Sequence, residues 1–413
     1  MRWLNFEDFS RELAREDFDE RTTIVQKIIR DVKERGDSAL VELTRRFDDP
    51  KFRAEDLILK PKPTLSGDLA RYMDMAAERI TSFARATLPC VDPDELPSGT
   101  SVRFVPVKRA GIYVPGGRAP YPSSVLMGVI PAVVAGVSEV YVASPPRVNP
   151  IIIHAAWLAG AKAIFQVGGA QAIAALAFGT ETIPRVDFVA GPGNAYVQEA
   201  KRLLWGKIGV DTIAGPSEVC VVADESAEPE LIAWELAAQA EHDPDARVYP
   251  ILMDARLISC VEDHLSQILR QTPRAEITEM ALRNSFGLLA RDENEAILAV
   301  DALGPEHLVL MTRNADALAE RIKNAGAIFL GKWSPVASGD YIAGPSHILP
   351  TGRWAKFSSG LTPLNFIRIQ GVISWKPEDL ASAGPPAAAI AKAEGFWAHQ
   401  KSLEVRIDML GQQ

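Results

Sequence analysis

An α/β fold follows from three features of the chain. Short apolar, β-rich runs alternate with alanine-rich helical runs over residues 110–224, the alternation returns over residues 228–331, and several runs meet glycine-rich turns. Continuous apolar strands interleaved with helices belong to parallel sheets covered on both faces. The prediction is therefore two Rossmann-like parallel-sheet units with a helical N-terminal segment and a C-terminal helical tail. At 413 residues the chain holds material for two or three domains. The two halves alternate alike, yet no residue-level repeat relates them.

Taken in order, residues 17–48 carry Val25, Ile28, Val32 and Leu40 at helical spacing, and Gly36-Asp37 divides them into two helices, with Asp37 capping the second. A further helix is expected near residues 67–86. The first alternating stretch has strands at 111–114, 139–143, 163–167, 186–190 and 218–223, with helices at 150–160, 170–178 and 194–204. The second has strands at 248–252, 286–290, 308–311 and 327–330. The tail from 377 to 406 reads as helical once past the Gly/Pro/Ala-rich stretch 384–389.

Composition excludes several classes. A net charge of −9 opposes non-specific binding to nucleic acid or an anionic membrane. The three cysteines, Cys90, Cys220 and Cys260, are scattered and form no Cys-x-x-Cys pair, so neither a disulfide framework nor a cysteine zinc site is supported. The N-terminus is acidic where a signal peptide is basic and then apolar. The longest apolar stretch, 125–137, is too short to span a bilayer and is broken by Gly128 and Pro131. A cytoplasmic protein is expected.

Four glycine-rich turns are read at strand ends: Val114-Pro-Gly116-Gly117, Gly168-Gly169-Ala-Gln171, Gly191-Pro-Gly193-Asn194 and Ala214-Gly215-Pro-Ser217. Glycine lets the backbone approach a phosphate, and a following helix N-terminus supplies N–H donors. No Gly-x-Gly-x-x-Gly occurs, so the standard dinucleotide fingerprint is missing and the turns equally serve to close βα units. Gln239 and His242 stand three residues apart at the end of an apolar helical run, sharing one face. An imidazole and an amide oxygen can share a zinc ion, but such a pair is also an ordinary polar helix end. Of the six histidines, His242, His307, His347 and His399 lie in polar or Gly/Pro-punctuated surroundings; His154 reads as core-facing and His264 as solvated.

Gly111-Ile-Tyr-Val-Pro-Gly-Gly117, Gly168-Gly-Ala-Gln171, Gly191-Pro-Gly-Asn194, Ala214-Gly-Pro-Ser-Glu-Val219, Gln239-Ala-Glu-His242, Gly304-Pro-Glu-His307, Gly339-Asp-Tyr341 and the stretch from Glu394 to His399 occur in one order along nearly the whole chain. In that order they resemble the histidinol dehydrogenase family, zinc- and NAD-dependent enzymes that oxidise L-histidinol through L-histidinal to L-histidine. The resemblance implies zinc ligands Gln239, His242, Asp340 and His399, one ion per chain, with NAD at Tyr113, Gln171 and Asn194. It puts Ser217, His347 and Glu394 around the substrate, alongside the four metal ligands and His307. Glu306 and His307 would be the catalytic pair. A neutral imidazole takes the alcohol proton while hydride leaves, and a carboxylate takes the proton of the water that adds to the aldehyde. Without the resemblance, Pro305-Glu306 reads as the opening of a helical turn.

The resemblance further implies a homodimer whose C-terminal segment completes the partner's site. The expected division is an arm over 1–16, a discontinuous α/β domain of 17–112 plus 218–361, an NAD-binding α/β domain of 113–217, and a C-terminal helical segment from 362 to 413. Ser346 and Trp397 depart from the family pattern, where Asn and a small or polar residue are expected; Arg118 falls at a variable position. Relatives oxidise other alcohols, among them dihydroxypropanesulfonate, but Glu394 favours a cationic amine over a sulfonate. The alternative class is a non-catalytic, metal-stabilised nucleotide-binding protein.

Overall fold

The computed structural model describes residues 1–13, 21–116, 119–213 and 215–411. Gly117, Arg118, Ala214 and part of the 17–48 helical segment fall outside them. The chain divides into two compact units, Met1–Thr87 with Val107–Phe366, and Leu88–Pro106 with Ile367–Gln413.

Strands in chain order are β1 (Arg2–Leu4), β2 (Ile58–Leu59), β3 (Thr100–Pro106), β4 (Arg109–Tyr113), β5 (Glu139–Ser144), β6 (Ala163–Gln166) and β7 (Phe188–Ala190). They continue with β8 (Gly209–Val210), β9 (Glu218–Ala223), β10 (Arg247–Leu252), β11 (Phe286–Leu289), β12 (His307–Met311), β13 (Ala327–Leu330) and β14 (Ile367–Ile373).

The first unit holds two six-stranded sheets, ordered β2-β6-β5-β4-β7-β8 and β1-β11-β10-β9-β12-β13. All pairings are parallel except that of the short β2 with β6. Apart from the edge strands β1 and β2, the chain in each sheet starts at a central strand, β4 or β9, winds outward to one side, and returns to build the other. That is the doubly wound arrangement predicted from the alternation. The strands are apolar on both faces because helices cover both, so Val140, Val142, Ile164, Val219, Val221 and Val222 are all buried. The apolar run 125–137 becomes the buried helix Pro122–Val134, packed against Ile112 through Gly128, where a Cβ would lie 2.4 Å from Ile112 Cγ2.

Some sequence expectations are corrected. Residues 22–59, grouped with the 218–361 segment, instead pack on the other sheet: Val25, Val32, Leu40 and Leu57 join the core of Phe165 and Ile173. β2 extends that sheet's edge. Arg2–Leu4 does the reverse, pairing with β11 in the second sheet rather than standing as a free arm. The helices Thr22–Arg35 and Asp37–Phe47 do break at Gly36, but Asp37 is no cap. Its carboxylate accepts from Thr182 Oγ1 at 2.5 Å, anchoring the helix to the neighbouring turn.

In the second unit β3 and β14 pair antiparallel from Ile367↔Pro106 to Ile373↔Thr100. Two helices follow, Pro377–Ala393 and Trp397–Leu410. The first helix begins ahead of the Gly/Pro/Ala stretch and runs through Pro385 and Pro386, against expectation. Close packing compensates the lost hydrogen bonds: a Cβ on Gly384 would lie 3.0 Å from Ile407 Cδ1 of the second helix. Between the helices Gly395 takes φ +78°, so Glu394 and His399 do not share one continuous helix.

Candidate active site

Chemistry-bearing residues gather at the amino-terminal edge of the second sheet. Gly304 ends the helix Glu293–Leu303, Pro305 and Glu306 follow, and His307 opens β12 beside Val219 of β9. No helical turn forms at Pro305-Glu306. Both members of the expected pair are buried, Glu306 at 7% and His307 at 5% exposure. One residue of β9, Glu218, holds both through its main chain: its N–H donates to Glu306 Oε2 at 2.8 Å, and its carbonyl lies 3.0 Å from His307 Nδ1.

A carbonyl only accepts, so Nδ1 of His307 carries the proton and Nε2 keeps its lone pair. That Nε2 is buried and has no hydrogen-bond partner among the described residues. Burial lowers the His307 pKa to about 4, with His347 and His242 adding to the shift, so the ring is neutral at pH 7. Burial acts oppositely on the acid and raises the Glu306 pKa well above the usual carboxylate value, helped by the nearby charges of Glu218 and Asp340.

His347 and Asp340 complete the cluster. His347 Nδ1 lies 3.0 Å from the Asp340 carbonyl and Nε2 lies 3.0 Å from Ser124 Oγ. By the same reasoning Nδ1 donates and Nε2 accepts from the serine, and burial holds the His347 pKa down at about 4. Ser124 sits in the first turn of the helix that follows β4, so this contact ties the two halves of the unit together. The Asp340 carboxylate lies 3.8 Å from His307 Nε2 and 3.9 Å from His347 Nδ1, beyond hydrogen-bond range. Burial raises its pKa to about 7, with a contribution from Glu235, which itself accepts from Val336 N–H at 3.1 Å.

The helix Pro229–Ala240 presents Gln239, which is buried, and ends just before His242, which is reachable by solvent. Crowding by the surrounding protein still lowers the His242 pKa. Ser217 is half-buried and its carbonyl accepts from Arg247 N–H at 2.9 Å. The turn before it leads into β9 and so lies at an amino-terminal strand end, unlike the other three glycine-rich turns. Thr351 Oγ1 accepts from Gly215 N–H there.

Those three turns sit at the carboxyl-terminal edge of the first sheet, after β4, β6 and β7. This edge includes the switch point between β4 and β7, the usual ligand crevice of a doubly wound sheet. Tyr113 and Gln171 are buried and Asn194 is exposed. The Tyr113 hydroxyl accepts from Gly169 N–H at 3.1 Å, and burial pushes its pKa to about 12. Asn194 Oδ1 caps the helix Ala195–Leu204 by accepting from Tyr196 and Val197 N–H, at 3.1 and 3.2 Å.

Glu394 and His399 belong to the second unit, where both are exposed. Among the described residues no three His, Cys, Asp or Glu approach closely enough to hold a metal. Gln239, His242 and Asp340 carry amide-oxygen, imidazole and carboxylate donors, types that zinc accepts. The half-buried Asp340 carboxylate lies outside hydrogen-bond range of the two imidazoles beside it, so its oxygens remain open to a ligand on that side.

Sequence reading missed Glu218, whose pKa burial raises to about 7 and whose Oε2 is buried without a partner among the described residues. It also missed Ser124, Glu235 and the buried pair Lys201–Asp211 behind the Gly191 turn. The departure at Ser346 is accommodated: its hydroxyl donates to the Met127 carbonyl at 3.4 Å and accepts from Ile348 N–H at 3.1 Å.

Two doubly wound halves joined around a buried acid–imidazole cluster define a two-sheet α/β protein of dehydrogenase type. An acetylating aldehyde dehydrogenase from Geobacillus thermoglucosidasius shares the fold alone, at 13% identity and TM-score 0.51 over 90% of this chain and 96% of its own. The family model for histidinol dehydrogenase matches residues 11–407. The histidinol dehydrogenase of Cereibacter sphaeroides is 42% identical over 97% of this chain and 95% of its own, and that of Rhizobium meliloti 41% identical over 98% of each. The solved histidinol dehydrogenase from Elizabethkingia anophelis matches at TM-score 0.94 and 33% identity, covering 100% of this chain and 99% of that one. This chain belongs to the histidinol dehydrogenase family.

Proposed function

We propose that this chain oxidises L-histidinol through L-histidinal to L-histidine, with NAD as hydride acceptor in both steps and one zinc ion per chain. The observation that carries the chemistry is the His307 tautomer, fixed by the Glu218 carbonyl with an unpartnered Nε2 in a buried site. NAD belongs at the carboxyl edge of the first sheet, near Tyr113, Gln171 and Asn194. Gln239, His242, Asp340 and His399 would hold zinc, which would act there as a Lewis acid helping to orient the substrate. His399 lies in the second unit, and the reading includes a homodimer, acting in the cytoplasm, whose C-terminal segments complete the sites.

In the alcohol step His307 Nε2 accepts the hydroxyl proton as hydride leaves the same carbon. The ring becomes an imidazolium still donating through Nδ1 to Glu218. This new cation lies 3.6 Å from Glu306 Oε2, where it favours ionisation of a carboxyl that burial otherwise keeps protonated. The first step thereby prepares the base for the second. Glu306, its own proton released to solvent, takes a proton from the water that adds to histidinal. The resulting hydrate monoanion gives up the second hydride to NAD as its anionic oxygen becomes the carbonyl of histidine. Ser217, His347 and Glu394 position the substrate, with Glu394 offering a carboxylate to its ammonium.

The substrate assignment is tested by comparing kcat/KM for histidinol with that for dihydroxypropanesulfonate. NADH formation from histidinol alone supports it. A preference for the sulfonate overturns it, and no turnover of either, with zinc retained, favours the non-catalytic alternative.

A further inference from the structure

The Gly191-Pro-Gly193-Asn194 turn is built on a residue with unusual demands. Gly191 takes φ +116°, and a Cβ there would lie 2.0 Å from the Tyr113 carbonyl oxygen. Only glycine lets β7 close so tightly against β4 at the switch point, yet glycine is also the residue least able to hold its own conformation. Directly behind it lies a buried ion pair. Lys201, on the helix Ala195–Leu204, is fully buried, and Asp211, just past β8, is nearly so at its side chain.

The pair grips both peptide groups that flank Gly191. Lys201 Nζ donates to the Gly191 carbonyl at 2.5 Å and to Asp211 Oδ1 at 2.7 Å. Gly191 N–H donates to Asp211 Oδ2 at 2.8 Å. Neither peptide can rotate without taking a hydrogen bond away from a buried charged group. Gln198 Nε2, on the same helix, draws the Gly193 carbonyl inward at 3.3 Å. The carbonyls of Gly191 and Gly193 are thus both engaged from behind, which suits a turn facing the anionic pyrophosphate of a dinucleotide.

We infer that Lys201 and Asp211 are positioning residues for the nicotinamide dinucleotide, fixing the Gly191 turn in its binding shape before the ligand arrives. The inference rests on the proposed placement of NAD at this edge. A buried ion pair is by itself weak evidence of stability, since apolar residues often replace one without loss. What distinguishes this pair is that all its described side-chain bonds are internal or to Gly191. Preorganisation shows in affinity for the ligand whose contacts it fixes, and leaves the chemistry and the other substrate alone.

Two double variants avoid a lone buried charge. Lys201→Gln with Asp211→Asn can keep all three hydrogen bonds in neutral form; Lys201→Leu with Asp211→Asn keeps only that from Gly191 N–H to residue 211 and loses the one to the Gly191 carbonyl and the one within the pair. Both are compared with wild-type enzyme by circular dichroism and by KM for NAD, KM for histidinol and kcat. The Gln/Asn variant should keep the NAD KM near wild type. The Leu/Asn variant should raise it roughly tenfold, with kcat and the histidinol KM within about twofold. Equal NAD KM values in the two folded variants overturn the inference, as does a uniform loss of kcat and both KM values. Should wild-type enzyme neither bind nor turn over NAD, the placement of NAD fails first and carries the inference down with it.

Discussion

His307 Nδ1 lies 3.0 Å from the main-chain carbonyl of Glu218, a contact between neighbouring strands that decides which nitrogen can act as base. Because a backbone atom makes it, no side-chain substitution at position 218 removes it. Replacing His307 with Ala should therefore remove the base for the alcohol step, costing about 10²–10⁴-fold in that step. Glu306→Gln should instead slow oxidation of supplied histidinal more than that of histidinol. Single-turnover assays on each substrate separate the two. Equal losses in both steps for both variants contradict the division of roles.

Glu218 makes a pH prediction of its own. Burial raises its carboxyl pKa from 4.5 to about 7 in the folded chain. Below pH 4.5 both folded and unfolded forms hold the proton and the group contributes nothing. As pH rises toward 7 the unfolded chain releases its proton while the folded chain keeps it, so stability falls; above 7 the penalty is constant. The shift corresponds to about 3 kcal/mol. Glu218→Gln, which can still accept from Gly352 N–H, should be relatively more stable at pH 8 than at pH 4.5. Denaturation curves at the two pH values measure the difference, and parallel behaviour of wild type and variant would count against a protonated Glu218.

Gly191→Ala should be among the most damaging single-methyl additions in the chain. The methyl group meets the Tyr113 carbonyl, and the backbone angle is strained for any L side chain. A loss of about 1–3 kcal/mol from backbone strain alone is expected, with the clash added, together with a raised KM for NAD. Thermal melting and NAD titration report it. Unchanged values for both would show that β4 and β7 can move apart freely.

Much of this was legible in the chain and some was not, for identifiable reasons. The doubly wound sheets follow from continuous apolar strands, because burial on both faces leaves a pattern no surface strand has. Glu306 and His307 were singled out only through the family resemblance, since Pro305 alone suggested a helical turn; their place at the start of β12 comes from pairing with β9. Lys201 was not legible: it lies in an otherwise amphipathic helix, where lysine reads as solvated, and its partner lies across a strand crossing. Asp37 has a capping residue's position but finds Thr182, distant in sequence. The passage of the C-terminal helix through two prolines escaped because local propensity argues against it, while packing against Ile407 argues for it.

The metal assignment predicts that His242→Ala leaves the fold intact, since this exposed side chain ends a helix, while zinc and turnover are lost. Elemental analysis checks the first loss; full zinc in the variant removes His242 from the ligand set. If His399 completes the partner's site, mixing inactive His242→Ala and His399→Ala dimers after reversible dissociation should restore activity. Mixed dimers that form yet stay inactive place the C-terminal segment on its own chain's site.

The central claim is that one site performs two successive oxidations, a base-assisted alcohol step at His307 followed by a water-dependent aldehyde step at Glu306. Taking an alcohol to a carboxylate removes two hydrides, so the most direct measurement is the ratio of NADH formed to histidinol consumed, with product analysis at completion. The account predicts two NADH per histidinol, histidine as the product, and no free histidinal accumulating. A ratio of one with histidinal released, or no NADH at all from a folded, zinc-loaded dimer, would contradict it.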